Sequence, residues 1–193
     1  MGAGAGPAAQ VDEPTIIGTG RSVAQWLELP EEQRCELVEG DIVVSPSPSL
    51  AHQRAVRNLL RALDDHAREH GGEAFVAPLG VKLSDTTAVE PDLLHVSGDD
   101  RFGPRIVEGP PDLVVEVASP SSRRYDLVRK RDLYERFGVR EYWVVDLEAE
   151  RIEVHTVMVD GRFAPPVVAG HGEVARSIAL PHLEVEVADV IAR

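Results

Sequence analysis

Apolar residues recur along this chain at two periods. Between Ser49 and His70, the residues Val56, Leu59, Leu60, Leu63 and Ala67 fall at helical spacing, and Gly71 and Gly72 follow them. The pattern predicts a long helix from Ser49 to His70, with His52 near the inward side of its first turn. "SVAQWLEL" predicts a shorter helix capped by Ser22. Elsewhere the period drops to two, or the apolar run is continuous. "ELVEGDIVV" reads as two short strands turning at Glu39, Gly40 and Asp41, and "GEAFVAP", "GVKLS" and "VEPDLLHV" read as three more, the last carrying Asp92. The Gly-, Pro- and Asp-rich residues from Ser97 to Pro111 predict a loop. After the strand "DLVVEVA" a second long helix is expected, with Ser119 as N-cap, Pro120 at its first position and Gly138 at its end. "EYWVVD" and "RIEVHTVMV" predict a hairpin, and short strands with a final helical turn close the chain. This order predicts an α/β (α+β) fold, a mixed sheet flanked by helices, and not a series of βαβ repeats.

Composition narrows the picture. A chain of 193 residues is long enough for one core, and a single domain is expected over residues 21–193 with a disordered tail over 1–20. The opening "MGAGAGPAAQ" has neither the basic nor the apolar region of a signal peptide, and no apolar run approaches the roughly 18 residues that span a membrane. One cysteine, Cys35, can form no internal disulfide and no thiolate zinc site, which suits a reducing compartment; a cytoplasmic location is expected. The net charge of −13 opposes indiscriminate nucleic-acid binding. It is unevenly spread, because residues 121–140 carry Arg123, Arg124, Arg129, Lys130, Arg131, Arg136 and Arg140 against Asp126, Asp132 and Glu135. No Gly-rich phosphate loop or dinucleotide fingerprint is present, so kinase, GTPase and dehydrogenase chemistry has no support.

One residue resists a purely architectural reading. Glu116 interrupts Leu113, Val114, Val115 and Val117 in a strand that reads as buried, and a buried carboxylate requires a partner. Alternation puts Glu116 on the face of Val114 and Asp112, but four residues of strand separate Asp112 from it by about 13 Å, too far to share an ion. Asp92, in another apolar run beside Pro91, is the better candidate from a neighbouring strand. Two such carboxylates offer hard oxygen ligands for Mg²⁺ or Mn²⁺. On a helical wheel Lys130 falls among Leu127, Leu133, Tyr134 and Phe137, which aims a compact cation inward. A structural alternative stays open for each: an arginine partner for Glu116, solvent for Asp92, and a snorkelling stem for Lys130.

These residues resemble the PD-(D/E)XK nuclease superfamily and, more closely, its Uma-type restriction-endonuclease family. The likeness runs through "CELVEGDIVVSPSPSLAHQ", "VEPDLLHV" and "PDLVVEVASPSSRRYDLVRKRDLYERFGVREYWVVD". It implies a restriction-endonuclease-like mixed sheet flanked by helices. It further implies that Asp92 and Glu116 bind metal, with the Val117 carbonyl as a further ligand, and that the substrate is DNA. The simplest superfamily pattern has lysine two residues after the acidic residue, where this chain has Ala118; the resemblance gives that role to Lys130. Glu39 and His52 fall in similar motifs and are expected to complete the metal shell or hold its water, with Glu36 as the alternative to Glu39. Arg123, Arg124, Arg129 and Arg131 are expected to contact phosphates, in DNA binding that is weak or partner-assisted, and a homodimer would let two sites address two strands.

Two other readings compete. A noncatalytic nucleic-acid-binding or interaction module could use the same fold. "HAREH" matches an inverted zinc-peptidase pattern through His66 and His70, although it sits in the last turn of a helix and shows no third ligand.

Overall fold

The computed structural model describes residues 14–30, 35–44, 47–98, 101–118 and 125–192, with the side chains of 125–127 excepted. Ser22 caps α1 (Val23–Trp26) by accepting a hydrogen bond from Gln25 N while the Gln25 side chain returns one from the Ser22 N–H. Strand β1 (Thr15–Gly18) lies inside the expected tail but pairs antiparallel with β3 (Asp41–Val44), so that boundary moves back to residue 14 at the latest. β2 (Cys35–Val38) reaches β3 through Glu39 and Gly40, both at positive φ (54° and 88°), as a tight two-residue hairpin turn requires. α2 (Leu50–His70) keeps its expected limits: Ser49 caps it, Gly71 ends it at φ 87°, and Ala55, Val56, Leu59, Leu63 and His66 form its buried stripe.

The expected single sheet is two. β1, β3 and β2 continue through β6 (Thr87–Val89), β5 (Gly80–Ser84) and β8 (Ile106–Glu108) as one six-stranded sheet. The second sheet runs from β12 (Val167–Gly170) through β11 (Arg151–Thr156), β10 (Glu141–Asp146), β9 (Leu113–Ala118) and β7 (Leu93–Val96) to β4 (Glu73–Val76). β13 (Val174–Arg176) and β14 (Glu184–Glu186) pair separately, and α4 (Val187–Ile191) closes the described chain. "VEPDLLHV" is therefore not one strand. β6 ends in the first sheet at Val89, β7 begins in the second at Leu93, and Glu90, Pro91 and Asp92 carry the chain across. Pro91 has no N–H to give a ladder, so a strand broken here loses little. The loop expected from Ser97 to Pro111 likewise contains β8, whose Ile106 and Val107 are buried beside β5.

Strand β9 lies between parallel β10 and antiparallel β7 and is buried along its whole length because both faces are covered. Leu113, Val115 and Val117 join a core with Leu59 and Leu63 of α2 and Val187 and Val190 of α4. Val114 and Ala118 face the other way, into a core shared with Val38, Val43, Val81 and Val89 of the first sheet. A third core lies on the far face of that sheet, around Leu37, Ile42 and Ala88. The start expected for the second long helix, Ser119 and Pro120, is outside the described residues. From Tyr125 to Lys130 the backbone is π-helical, and it tightens into α3 (Arg131–Arg136) before Gly138 turns it at φ 78°.

The buried imidazoles include His95 on β7 and His155 on β11. Burial holds both below the usual histidine pKa; His66 reinforces the effect at His95 and Arg131 does so at His155, while Asp112 and Glu153 respectively oppose it. Since the folded pKa lies below the unfolded value of about 6.5, their neutral forms contribute stability that is present above that pH and is lost as pH falls below it. Thermal unfolding should therefore occur at lower temperature at pH 5 than at pH 7.5. His155→Phe, which fills the same space between Tyr142 and Phe163, should flatten that acid limb; an unchanged slope would show that His155 does not drive it.

Candidate active site

Glu116 points from β9 into the core between the two sheets, on the side opposite Val115 and Val117. Its Oε1 accepts hydrogen bonds from Lys130 Nζ at 2.8 Å and from the Tyr134 hydroxyl at 2.7 Å. Lys130 and Tyr134 are four residues apart, so the junction of the π-helical turn with α3 presents both on one face. The Tyr134 hydroxyl is held well above the usual tyrosine pKa, first by burial and then by the Glu116 charge, and so remains a neutral O–H donor.

Glu36 enters the same space from β2. Strand alternation turns Cys35 and Leu37 to the outer core and Glu36 and Val38 to the inner one. Its Oε1 lies 3.1 Å from Lys130 Nζ and accepts the Glu90 N–H at 2.9 Å, whereas its Oε2 is buried without a hydrogen-bond partner. Two carboxylates thus enclose one ammonium.

Asp92 stands at the crossing between the sheets. Its Oδ2 accepts the Val117 N–H at 2.8 Å and meets His52 Nε2, from the first turn of α2, at 3.0 Å. An ionised carboxylate has no proton to give, so His52 Nε2–H is the donor. The β7–β9 register pairs Leu94 with Val114 and Leu93 with Val115, and one further step puts Asp92 opposite Glu116. Asp112 is engaged elsewhere, by the Ser97 N–H and the guanidinium of Arg140; these donors lower its pKa despite the opposing effect of burial.

Lys130 meets Glu116 and His52 meets Asp92, and the two pairs are linked through adjacent β9 residues, since Asp92 also accepts the Val117 N–H, whereas Glu39 is not among them. It is half exposed at the hairpin tip, where its Oε1 is 2.8 Å from Arg136 Nη1. Arg129 lies 4.0 Å from Asp41, and the same hairpin and helix enclose a cleft of about 300 Å³ lined by Val38, Glu39, Arg129, Asp132, Leu133 and Arg136. Arg131 is paired with Asp132 and Glu135 and lies over the Phe163 ring. Arg123 and Arg124 fall outside the described residues. Glu36, expected only as the alternative to Glu39, is the one of the two that reaches Lys130, and the sequence carried the signal: like Glu116, it interrupts an apolar strand.

As a donor set, Asp92 and Glu116 with a main-chain carbonyl suit magnesium, which commonly takes one or two carboxylates and keeps several waters. Among the described residues no three His, Cys, Asp or Glu side chains converge as a protein-only metal cage would need. His66 Nε2–H donates to the Pro181 carbonyl, and His70 stacks on His182.

A family profile described as "Uma2: Putative restriction endonuclease" matches residues 23–188. The chain belongs to the Uma2 family. An uncharacterized protein of Synechocystis is 24% identical over 138 residues, which cover 68% of this chain and 78% of that one. A crystal structure described as a putative nuclease belonging to DUF820, from Anabaena variabilis, shares the fold with a TM-score of 0.74 at 17% identity, covering 89% of this chain and 98% of that one. The expected restriction-endonuclease-like fold class stands, with its strands divided between two sheets.

Two measurements test this geometry. Tyr134→Phe removes one donor to a buried carboxylate and should lower stability by about 1.5–3 kcal/mol, as expected for a hydrogen bond to a charged group; an unchanged melting temperature would show that the hydroxyl contributes nothing. Elemental analysis of protein prepared without added metal should find no stoichiometric zinc. Zinc that is present and lost in His66→Ala would reverse that expectation.

Proposed function

We propose that this Uma2 protein is a divalent-metal-dependent endonuclease that hydrolyses DNA phosphodiester bonds at Asp92, Glu116 and Lys130. The observation that carries the reading is the buried contact of Lys130 Nζ with Glu116 Oε1, at 2.8 Å, on the strand facing Asp92. A hydrolytic site needs anionic oxygens to hold a cation and a fixed positive group to stabilise charge on the phosphate, and these residues offer both. When bound, Mg²⁺ or Mn²⁺ would polarise the phosphate and lower the pKa of a coordinated water. Asp92 and Glu116 would hold it, and His52 would keep Asp92 oriented. Lys130 would meet the developing charge on a phosphoryl oxygen as a preorganised donor.

The DNA backbone would run along the basic helix, where Arg129 and Arg136 flank the cleft. Both are braced by carboxylates of the β2–β3 hairpin, and phosphate must compete with these. That competition and the net charge of −13 support weak or partner-assisted DNA binding. They are also what a noncatalytic binding module would share, so cleavage is the deciding measurement.

Plasmid and single-stranded DNA, each incubated with Mg²⁺, Mn²⁺ or chelator, should be cut only in the presence of metal. Asp92→Asn and Glu116→Gln should abolish cleavage and weaken Mn²⁺ binding in calorimetry. Lys130→Met, which keeps the stem's volume, should slow cleavage by on the order of a hundredfold to a thousandfold while metal still binds. Equal Mn²⁺ affinity in wild type and both carboxylate variants would refute the metal site, and wild-type rates in Lys130→Met would remove the lysine from the chemistry.

A further inference from the structure

We infer that Glu36 is a positioning residue for Lys130, holding its ammonium against Glu116 and tying it to the segment that carries Asp92. The function of Lys130 depends on where a long, flexible side chain is kept. Its Nζ lies between Glu116 Oε1 at 2.8 Å and Glu36 Oε1 at 3.1 Å.

Glu36 belongs to the other sheet, and the same oxygen also accepts the N–H of Glu90, two residues before Asp92. One atom therefore fixes two things at once: the position of the ammonium, and the backbone leading to the second carboxylate. Glu36 is one-twentieth exposed, and its remaining oxygen is buried without a hydrogen-bond partner. A carboxylate placed so deeply with one oxygen unsatisfied is unfavourable for folding by itself, so the contacts of its other oxygen with Lys130 and the Glu90 N–H must offset that cost. The hairpin carboxylate Glu39 offers no such link, since it is half exposed and directed to Arg136.

The kinetic arm of the test rests on the nuclease reading; the structural arm does not. The chain has two lysines, Lys82 and Lys130, so labelling lysine with ¹³C at Cε gives two signals. Lys82, about a third exposed and paired with Asp85, is the internal reference. Relaxation should show Lys130 immobile in the wild type. Glu36→Gln keeps the volume and one acceptor oxygen but replaces the ion pair with an ammonium–amide contact that has lost the carboxylate's charge. In that variant Lys130 should become markedly more mobile while Lys82 is unchanged. Cleavage should fall about tenfold to a hundredfold in kcat, with KM for DNA and the Mn²⁺ dissociation constant each within about twofold of wild type. If Glu36→Gln fails to fold, Glu36→Asp, one methylene short, supplies the same comparison. A Lys130 signal as rigid as in the wild type would overturn the inference even if the rate fell. If the wild-type protein cuts no DNA, the nuclease reading fails, and the relaxation of Lys130 still decides whether Glu36 anchors it.

Discussion

The ion pair between Glu116 and Lys130 constrains the arrangement around it. β9 is covered on both faces, so Glu116 cannot reach water by leaning aside, and an unpaired carboxylate there would be strongly unfavourable. Breaking such a pair from one side typically destabilises a protein by about 3–5 kcal/mol, whereas the intact pair adds little over an apolar substitute. The pair therefore explains position more than stability. It requires the segment after β9 to return across the inner face of the second sheet at the depth where an ammonium can meet Glu116. The π-helical backbone from Tyr125 to Lys130 lies just before that contact, and such turns are rare and are frequent at functional sites. Once Lys130 is placed, Tyr134 follows one turn later on the same oxygen.

The other carboxylates of the site also hold the fold together. Asp92 accepts the Val117 N–H, an interaction that lets β7 begin late without stranding the β9 backbone. Glu36 does the same for the Glu90 N–H at the other end of the crossing. The two sheets are thus joined where the candidate chemistry lies. A substitution at any of these carboxylates will disturb backbone hydrogen bonding as well as charge, and for this reason isosteric amides are more informative than alanine. Glu141 offers the contrast. It is equally buried on neighbouring β10, but it is satisfied by neutral donors, the Trp143 indole, the Thr156 hydroxyl and the N–H groups of Ile178 and Ala179, so its duty is to close that turn.

Much of this was legible in the sequence because local rules governed it. The helix from residue 50 to 70 has a cap, a stripe and a glycine stop, and the hairpins have alternation and turn residues. The inward placement of Lys130 followed from the helical wheel, and the facing of Glu116 from strand alternation. What escaped depended on long-range packing. Two short apolar runs on either side of Glu90, Pro91 and Asp92 do not reveal that they belong to different sheets, because each is buried for its own reason. β8 is three residues of strand inside a loop of glycine and proline, made regular by its partner β5. Glu39 and Glu36 occur in the same short motif, and a polar turn drew attention to the first, yet alternation with Cys35 and Leu37 directed the second toward the core between the sheets.

Charge links the site to its substrate on the proposed reading. DNA is a polyanion, this chain carries −13, and the carboxylates of Glu36 and Glu116 are buried beside the Lys130 ammonium. Arg129 and Arg136 cannot by themselves reverse that balance, since each faces a carboxylate of the hairpin. A phosphate approaching the buried carboxylates would meet repulsion that salt screens poorly at short range. A divalent cation held by Asp92 and Glu116 would change its sign locally, from a centre that repels phosphate to one that attracts it. Affinity for DNA at these carboxylates would therefore be conditional on the cation, and Lys130, fixed between two acids, would supply a positive group alongside it.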